Sequence, residues 1–251
     1  MAETDTKTMT GTKTGTKTGT EGPGRGVLEG AFALLDALRR RGGEAGLTEL
    51  AVACGVPKAT AHRLLDQLGP LGAVERRGSR YVLGPQLFRL GESWQPYPGL
   101  RDAARLPLHR LRAATGAGVV LAVPHGGRAL AVATVPGRAE GAVALREGMT
   151  FPLGTAMGRA LESRDHGPFV DRGTRAVGVA GSARAGSAAG VDCVALPVRG
   201  PGGRVVAGVA ALAPAGGSLG PVVAATVSAA SAVTAGLQGA GRERGMSLAS
   251  V

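Results

Sequence analysis

The feature that most constrains the fold is a pair of short helical segments separated by one tight turn. The first segment reads ELAVAC, preceded by Thr48 as a candidate N-cap, and the second, at 58–68, reads KATAHRLLDQL. The turn between them is Gly-Val-Pro. Gly55 can adopt the left-handed conformation that ends a helix, and Pro57 suits the first turn of the next helix, where an N–H is not needed. This arrangement predicts a helix-turn-helix.

The second helical segment has one apolar face and one polar face. Its apolar residues recur at the i, i+3, i+4 and i+7 spacing of a helix that packs on a core. The residues on or beside the opposite face, near the start of the helix, are Lys58, Ala59, Thr60, His62 and Arg63. Such a face can enter a DNA major groove, or it can simply meet solvent. Arg63 is the strongest candidate for a DNA contact because its fork of donors matches bases and phosphates, whereas His62 could equally have a packing role.

A β-hairpin is predicted directly after this helix. The segments AVERR and RYVLG alternate like two short strands, and Gly78-Ser79 joins them. Arg76, Arg77, Ser79 and Arg80 lie at or close to the tip, and they are the wing residues expected to contact DNA. A hairpin in this position is a wing, and a cationic wing tip suits the phosphate backbone or the minor groove of duplex DNA.

The overall charge permits a nucleic-acid partner without requiring one. The formal net charge is +11, but most of the excess lies beyond residue 92 and not beside the helix-turn-helix. Aromatic residues make up only 3% of the chain, which disfavours a reader of RNA or single strands because such proteins stack bases on aromatic side chains. The same shortage means that the core must be built from Ala, Val and Leu.

The sequence offers little support for an enzyme, a metal site or a membrane span. It contains no H-E-x-x-H and no phosphate-binding glycine loop, and its four histidines are scattered. We therefore predict no enzyme activity, cofactor or metal. Cys54 and Cys193 are far apart and fit a reduced, cytoplasmic protein. The uncharged run 205–241 is interrupted by Pro214 and Pro221, so we predict no membrane span.

Residues 46–93, GLTELAVACGVPKATAHRLLDQLGPLGAVERRGSRYVLGPQLFRLGES, closely resemble the IclR family of bacterial transcriptional regulators. The shared features are LTELA, the Gly-aliphatic-Pro turn, a K-x-T-x-x-R-L-L helix and the YxLGPxLxxLG exit from the wing. The resemblance implies an α+β chain, in which a winged helix-turn-helix precedes a GAF-like α/β effector-binding domain. It also implies dimers formed near the first helices and tetramers formed through the second domain.

The domain boundaries expected on this basis follow the composition of the chain. Residues 1–25 contain TGTKTGTKTGT and are predicted to be a disordered tail, because they have little apolar surface to bury. The winged helix-turn-helix is expected at 26–85 and a linker helix at 86–99. The GAF-like effector-binding and oligomerisation domain is expected at 100–240, with its closing helix ending at Leu237, and 241–251 is a second tail.

The second half of the chain resembles the family more loosely, through REGMTFPLGTAMGRAL and GVDCVALPVRGPGGRVVAGVAALAP. By this resemblance, the residues implied in the effector pocket are Met149, Leu153, Thr155, Ala156, Met157, Cys193, Ala210 and Leu212. Backbone N–H groups at the loop containing Thr155 could hold a carboxylate, or Thr155 could be a plain helix cap. Cys193 could contact a ligand or be an ordinary buried strand residue.

Departures from the family pattern affect the expected ligand. Ala210 and Leu212 stand where relatives that bind small carboxylates often have serine, Arg159 replaces a lysine, and Ala59 replaces a serine of the recognition helix. The segment between Leu161 and 191 is also short and lacks the usual acidic stretch. We therefore expect an apolar or aromatic effector, or a pocket that binds nothing.

The predicted function is that of a cytoplasmic transcriptional regulator that binds double-stranded DNA. Two-fold symmetry of a homodimer or homotetramer predicts a palindromic or pseudo-palindromic operator. We expect the regulator to repress transcription. A small-molecule effector would modulate binding. The alternative is an effector-independent regulator whose second domain serves only for oligomerisation.

Overall fold

The computed structural model describes residues 26–137, 145–174 and 190–248. The predicted tail 1–25 lies outside them. The chain divides into two compact units after Gly91, which falls within the linker expected at 86–99.

The first unit is a three-helix domain with a small sheet. Its elements are α1 (Val27–Arg40), β1 (Glu44–Gly46), α2 (Leu47–Cys54), α3 (Lys58–Leu68), β2 (Val74–Arg77) and β3 (Arg80–Leu83), and α4 (Pro85–Glu92) follows. The antiparallel sheet has the order β1-β3-β2. Leu34 and Leu38 of α1, Leu50 of α2 and Leu65 of α3 are fully buried together and hold the three helices around one core.

The helix-turn-helix and the wing are confirmed, with two corrections at the first turn. Thr48 is not the N-cap of α2, because the helix begins at Leu47 and Gly46 is the cap residue. The Glu49 carboxylate accepts a hydrogen bond from the Gly46 N–H at 3.0 Å, which fixes this helix start without a hydroxyl. Pro57 is the cap residue of α3 and not its first helical residue. Gly55 ends α2 with the expected left-handed conformation, φ 64°.

Strand β1 was not predicted from the sequence. It is only three residues long, and it becomes a strand by pairing with β3 at Ala45 and Tyr81. A segment this short has no periodicity that could distinguish it from a loop.

The exit from the wing requires a glycine. A Cβ on Gly84 would lie 2.1 Å from the carbonyl oxygen of Gly72, because the Gly84 N–H donates to the adjacent Ala73 carbonyl at 2.8 Å. The glycine of the LGP sequence therefore allows two backbone segments to touch where the hairpin leads into α4.

The second unit is a six-stranded antiparallel sheet with helices on both faces. Its strands are β4 (Gly118–His125), β5 (Arg128–Val135), β6 (Thr150–Pro152), β7 (Phe169–Thr174), β8 (Val191–Arg199) and β9 (Val205–Pro214). Its helices are α5 (Leu100–Thr115), α6 (Ala156–Glu162) and α7 (Gly220–Leu248). The strand order is β6-β5-β4-β9-β8-β7, so the fold class is α+β as predicted.

The alternation of side chains along β4 shows how the sheet forms two cores. Val119, Leu121 and Val123 point into a cluster with α5 and α7. Val120 and Ala122 point to the opposite face, into a cluster with α6. Both clusters consist mainly of Ala, Val and Leu, as the low aromatic content required.

Helix α7 is longer than the sequence suggested. It continues to Leu248, past the expected end at Leu237, so the predicted tail 241–251 begins inside it. Among the described residues, its segment Gly220–Gly239 is the one stretch long and apolar enough to cross a membrane, with a mean hydropathy of 1.4. One face of this segment, including Val233 and Leu237, packs into the cluster shared with α5 and the sheet, as the core helix of a globular domain does.

Candidate nucleic-acid interface and effector pocket

Helix α3 presents the predicted polar face at its N-terminal half. Lys58, Ala59, His62 and Arg63 are exposed, and Thr60 is half-buried. The opposite face is anchored by the residues Ala61, Leu64, Leu65 and Leu68, all of them buried. The fixed position of the helix means that its exposed side chains are held as one rigid group, which is what base readout requires.

The lysine and the arginine on this face form no hydrogen bond or ion pair with other described residues. Within the described part of the chain, no hydrogen bond or ion pair engages the Lys58 ammonium or the Arg63 guanidinium. His62 differs, since its Nδ1 lies 2.9 Å from Asp66 Oδ2 one turn along the same helix. It is exposed and does not pack in the core, so the packing alternative for His62 is wrong.

The wing arginines divide into two groups. Arg76 Nε donates to the Gly78 carbonyl at 3.0 Å and stabilises the turn, while Arg77 is 71% exposed with only a 3.4 Å contact to Glu75. Both guanidinium groups face solvent near the tip, beside the exposed Ser79.

Arg80, the third wing arginine, is engaged within the domain. Its Nε lies 2.7 Å from Glu44 Oε1, and its Nη2 lies 3.6 Å from Glu49 Oε2. The pKa of Glu49 is lowered, first by the hydrogen bond from the Gly46 N–H and then by Arg80 and Arg41. A phosphate contact by Arg80 would have to compete with two carboxylates, so this predicted contact is weaker than those of Arg76 and Arg77.

The residues predicted for the effector pocket gather on one face of the sheet. Met149, Ala156, Met157 and Ala210 are buried in the cluster around α6, and the partly buried Cys193 and Leu212 pack against it. Leu153 and Thr155 are half-buried in the turn before α6. The sequence resemblance therefore identified residues that lie together in space.

The start of α6 is already occupied by groups of the protein. Thr155 is its N-cap, and its Oγ1 accepts from the Gly158 N–H at 3.3 Å. The Ala156 N–H donates to Asp171 Oδ2 at 2.6 Å. The plain-cap alternative for Thr155 is thus confirmed, and the position expected to bind an effector carboxylate holds the carboxylate of Asp171 instead.

Asp171 is the residue of this site that the sequence did not reveal. Arg159 Nη2 donates to its Oδ1 at 2.7 Å, and Arg159 also donates to the carbonyls of Gly154 and Val170. Asp171 lies on β7 opposite Cys193 of β8. A single aspartate in a short strand gives no sequence signal, because its partners come from other parts of the chain.

The Cys193 thiol is held in its neutral form. Burial, and to a lesser extent the nearby Asp171 carboxylate, raise its pKa to about 12 against a smaller lowering by Arg159. A neutral thiol is neither a nucleophile nor a metal ligand. Within the described ranges, no group of three or more His, Cys, Asp or Glu side chains could hold a metal ion.

Comparison with known proteins assigns the first unit to a family. The family model "IclR helix-turn-helix domain" matches residues 27–78, which span α1 to the turn of the wing. The whole described fold is similar to the IclR transcriptional regulator from Alicyclobacillus acidocaldarius, with a TM-score of 0.64 and 23% identity over 84% of this chain and 98% of that one. Residues 27–78 are therefore an IclR-type helix-turn-helix domain.

A second solved IclR structure supports the same fold. It is an IclR homolog from Microbacterium hydrocarbonoxydans complexed with 4-hydroxybenzoate, with a TM-score of 0.65 and 19% identity over 84% of this chain and 99% of that chain. At such identities the likeness of these IclR structures establishes the fold alone.

Two curated relatives are similar in sequence to this chain. They are the glycerol operon regulatory proteins of Streptomyces coelicolor and Streptomyces griseus, which are 34% and 33% identical over 141 residues. The aligned part is 55% of this chain and 56% of each relative, so the match spans little more than half of their length. No enzyme family is indicated by these comparisons.

Proposed function

We propose that this chain is a DNA-binding transcriptional regulator of the IclR family that inserts α3 into the major groove of an operator. The observation that carries the proposal is the pairing of exposed, unengaged cations at Lys58 and Arg63 with a buried aliphatic face that fixes their helix. The solvated-face alternative does not account for a cationic wing that follows the helix in the order typical of winged-helix DNA readers.

The proposed regulator acts in the cytoplasm as a homodimer or homotetramer, and it represses from a palindromic or pseudo-palindromic site. Two exposed side chains on α1 support self-association. Leu28 and Phe32 are 75% and 70% exposed and lie one turn apart on the same helix face. Burying such apolar surface against a second copy would be favourable, and a two-fold axis would then present two α3 helices to two half-sites.

A gel-shift and footprinting experiment on the chain's own upstream region tests the proposal. We expect protection of a two-fold symmetric site, and Arg63→Ala should weaken specific binding by about 1–3 kcal/mol and relax the preference at one base position. Gln67→Ala removes an exposed side chain farther along the same helix and should leave affinity unchanged. Equal affinity of wild type and Arg63→Ala for the protected site would remove Arg63 from the interface.

The effector we propose for the second unit is an apolar or aromatic molecule that does not depend on a carboxylate. Ala210 and Leu212 offer no hydroxyl groups, and the start of α6 is satisfied by Asp171. The Microbacterium homolog was crystallised with 4-hydroxybenzoate, an aromatic ligand that does carry a carboxylate. Modulation of DNA binding requires that the effector bind the DNA-competent and incompetent forms with different affinities.

A thermal-shift series separates this proposal from an effector-independent regulator. Neutral aromatic compounds, 4-hydroxybenzoate and pyruvate are compared at equal concentrations, and neutral aromatics should raise the midpoint of unfolding most. A large shift with pyruvate would contradict the apolar pocket. If no compound or metabolite extract changes either the midpoint or the operator affinity, the second unit serves only for oligomerisation.

A further inference from the structure

The second unit contains a cleft at the rim of the apolar cluster around α6, with Leu161 and Val205 common to both. Its volume is about 570 Å³, and it lies between the end of α6 and the turn that joins β8 to β9. This volume is in the range of clefts that bind small molecules. None of the eight predicted effector residues lines it.

The charge of the cleft is strongly positive. Arg164 contributes from the segment after α6, and Arg199 and Arg204 contribute from the β8–β9 hairpin. Glu162 is the one acidic residue among the residues that line the cleft. Three guanidinium groups and one carboxylate make the cleft a site that favours an anion over a neutral or cationic molecule.

Arg199 is fixed in place at the base of this arrangement. Its Nη1 donates to the Gly203 carbonyl at 2.8 Å, and its Nη2 donates to the carbonyls of Arg164 and Asp165 at 2.9 Å each. These bonds join the β8–β9 turn to the segment after α6 and leave the positive charge without a carboxylate partner. Arg199 Nε is buried with no hydrogen-bond partner in the described residues, which is rare for a buried donor in a native structure.

The other two arginines are exposed and uncommitted. No hydrogen bond or ion pair engages the side chain of Arg164 or Arg204 within the described ranges. The Ser163 hydroxyl lines the same cleft and can donate a further hydrogen bond. Gly203 has φ 77° and carries no side chain, so a ligand can approach the turn closely.

We propose that this cleft binds the phosphate group of a small anionic molecule. Guanidinium groups bind phosphate oxygens through charge-assisted hydrogen bonds, and the cleft is lined by one guanidinium held in position and by two exposed arginines. The cleft lies in the second unit and the proposed DNA contacts lie in the first, so the anion would be a further ligand of the second unit beside the proposed effector. A failure of operator binding would not affect this proposal.

Calorimetric titration of the full chain with pyrophosphate tests the proposal directly. The buffer contains no phosphate, and ionic strength is held constant with sodium chloride. We expect saturable binding of pyrophosphate and weaker binding of inorganic phosphate. Arg164→Gln and Arg204→Gln should each weaken pyrophosphate binding about tenfold or more, because each removes a charge-assisted contact. Arg110→Gln, at an exposed arginine of α5 outside the cleft, should not.

Three results would overturn the proposal. The first is the absence of saturable pyrophosphate binding to the wild-type chain. The second is equal weakening by Arg110→Gln, which would mean that only general surface charge is involved. The third is loss of affinity for a random DNA duplex in Arg164→Gln or Arg204→Gln without any pyrophosphate binding, which would assign the cleft to DNA phosphates. Arg204→Lys keeps the charge and should retain part of the pyrophosphate affinity.

Discussion

The guanidinium Nη2 of Arg159 lies 2.7 Å from Oδ1 of Asp171, and the other oxygen of the same carboxylate accepts the Ala156 N–H at 2.6 Å. The Asp171 carboxylate of β7 thus accepts a hydrogen bond from the first turn of α6 and forms an ion pair with an arginine of the same helix. Asp171 is largely buried, with a side chain 17% exposed, while Arg159 is 40% exposed. The contact ties a short helix to the edge of the sheet.

Removing this carboxylate should destabilise the second unit. Asp171→Ala leaves the buried Ala156 N–H without its acceptor and Arg159 without its ion pair, and we expect a loss of about 1–3 kcal/mol in the free energy of unfolding. Urea denaturation followed by circular dichroism measures the loss. Asp165→Ala, at an exposed aspartate close by, is the control and should change stability little. An unaltered urea midpoint for Asp171→Ala would show that the contact carries no stability.

A methyl group on Gly158 should disturb the same helix start by a steric route. A Cβ there would lie 2.2 Å from the backbone of Leu153, so Gly158→Ala forces the preceding turn to move and should cost about 1–3 kcal/mol. Gly154→Ala adds the same methyl group in open space and should be tolerated. Thermal unfolding of the two variants, measured side by side, checks the contrast, and equal midpoints would contradict the close approach.

The raised pKa of Cys193 predicts a loss of stability at alkaline pH. Below pH 9 the thiol is protonated in both states, but between pH 9 and about 12 the unfolded chain releases a proton that the folded chain keeps. Stability must therefore fall as pH rises through this window. Wild type should lose about 2 kcal/mol more than Cys193→Ala between pH 8 and about 10.5.

Urea denaturation at the two pH values gives this difference, with Cys54→Ala as the control that keeps Cys193. In native Cys54→Ala protein at pH 8, the remaining thiol should react with a thiol reagent far more slowly than after denaturation. Rapid labelling of the native protein would contradict the high pKa.

The wing arginines should differ in the salt dependence of DNA binding. If Arg76 and Arg77 contact phosphates, Arg76→Gln and Arg77→Gln should each lower the slope of log affinity against log salt by about 0.9 without changing sequence preference. Arg80→Gln should change the slope less, because Glu44 and Glu49 already engage that guanidinium. Gel shifts at several salt concentrations give the slopes, and a larger effect at Arg80 than at Arg77 would reverse the assignment.

The features that the sequence predicted well are set by local patterns. Helix α3 followed from the spacing of Ala61, Leu64, Leu65 and Leu68, and the wing followed from alternation on either side of Gly78-Ser79, where Gly78 has φ 61°. In both cases the residues that determine the element are neighbours along the chain.

The features that the sequence did not predict depend on distant partners. Strand β1 exists because β3 pairs with it, and Asp171 reaches Ala156 only once β7 has joined the sheet. The wrong assignment of Thr48 as the N-cap of α2 had a different cause. The helix start is fixed by the Glu49 carboxylate, which accepts from the Gly46 N–H, and not by a threonine hydroxyl. The resemblance identified residues that lie together around α6, but it could not show that the start of this helix is already hydrogen-bonded to Asp171.

The centre of the six-stranded sheet joins β4 to β9, with Gly118 opposite Leu212. During synthesis, most of the second unit must therefore leave the ribosome before β4 can pair with β9. Until then, β4 can pair only with β5, which in turn pairs with the short β6, and the other edge of β4 stays open to another nascent chain. Refolding should therefore be slow and sensitive to protein concentration.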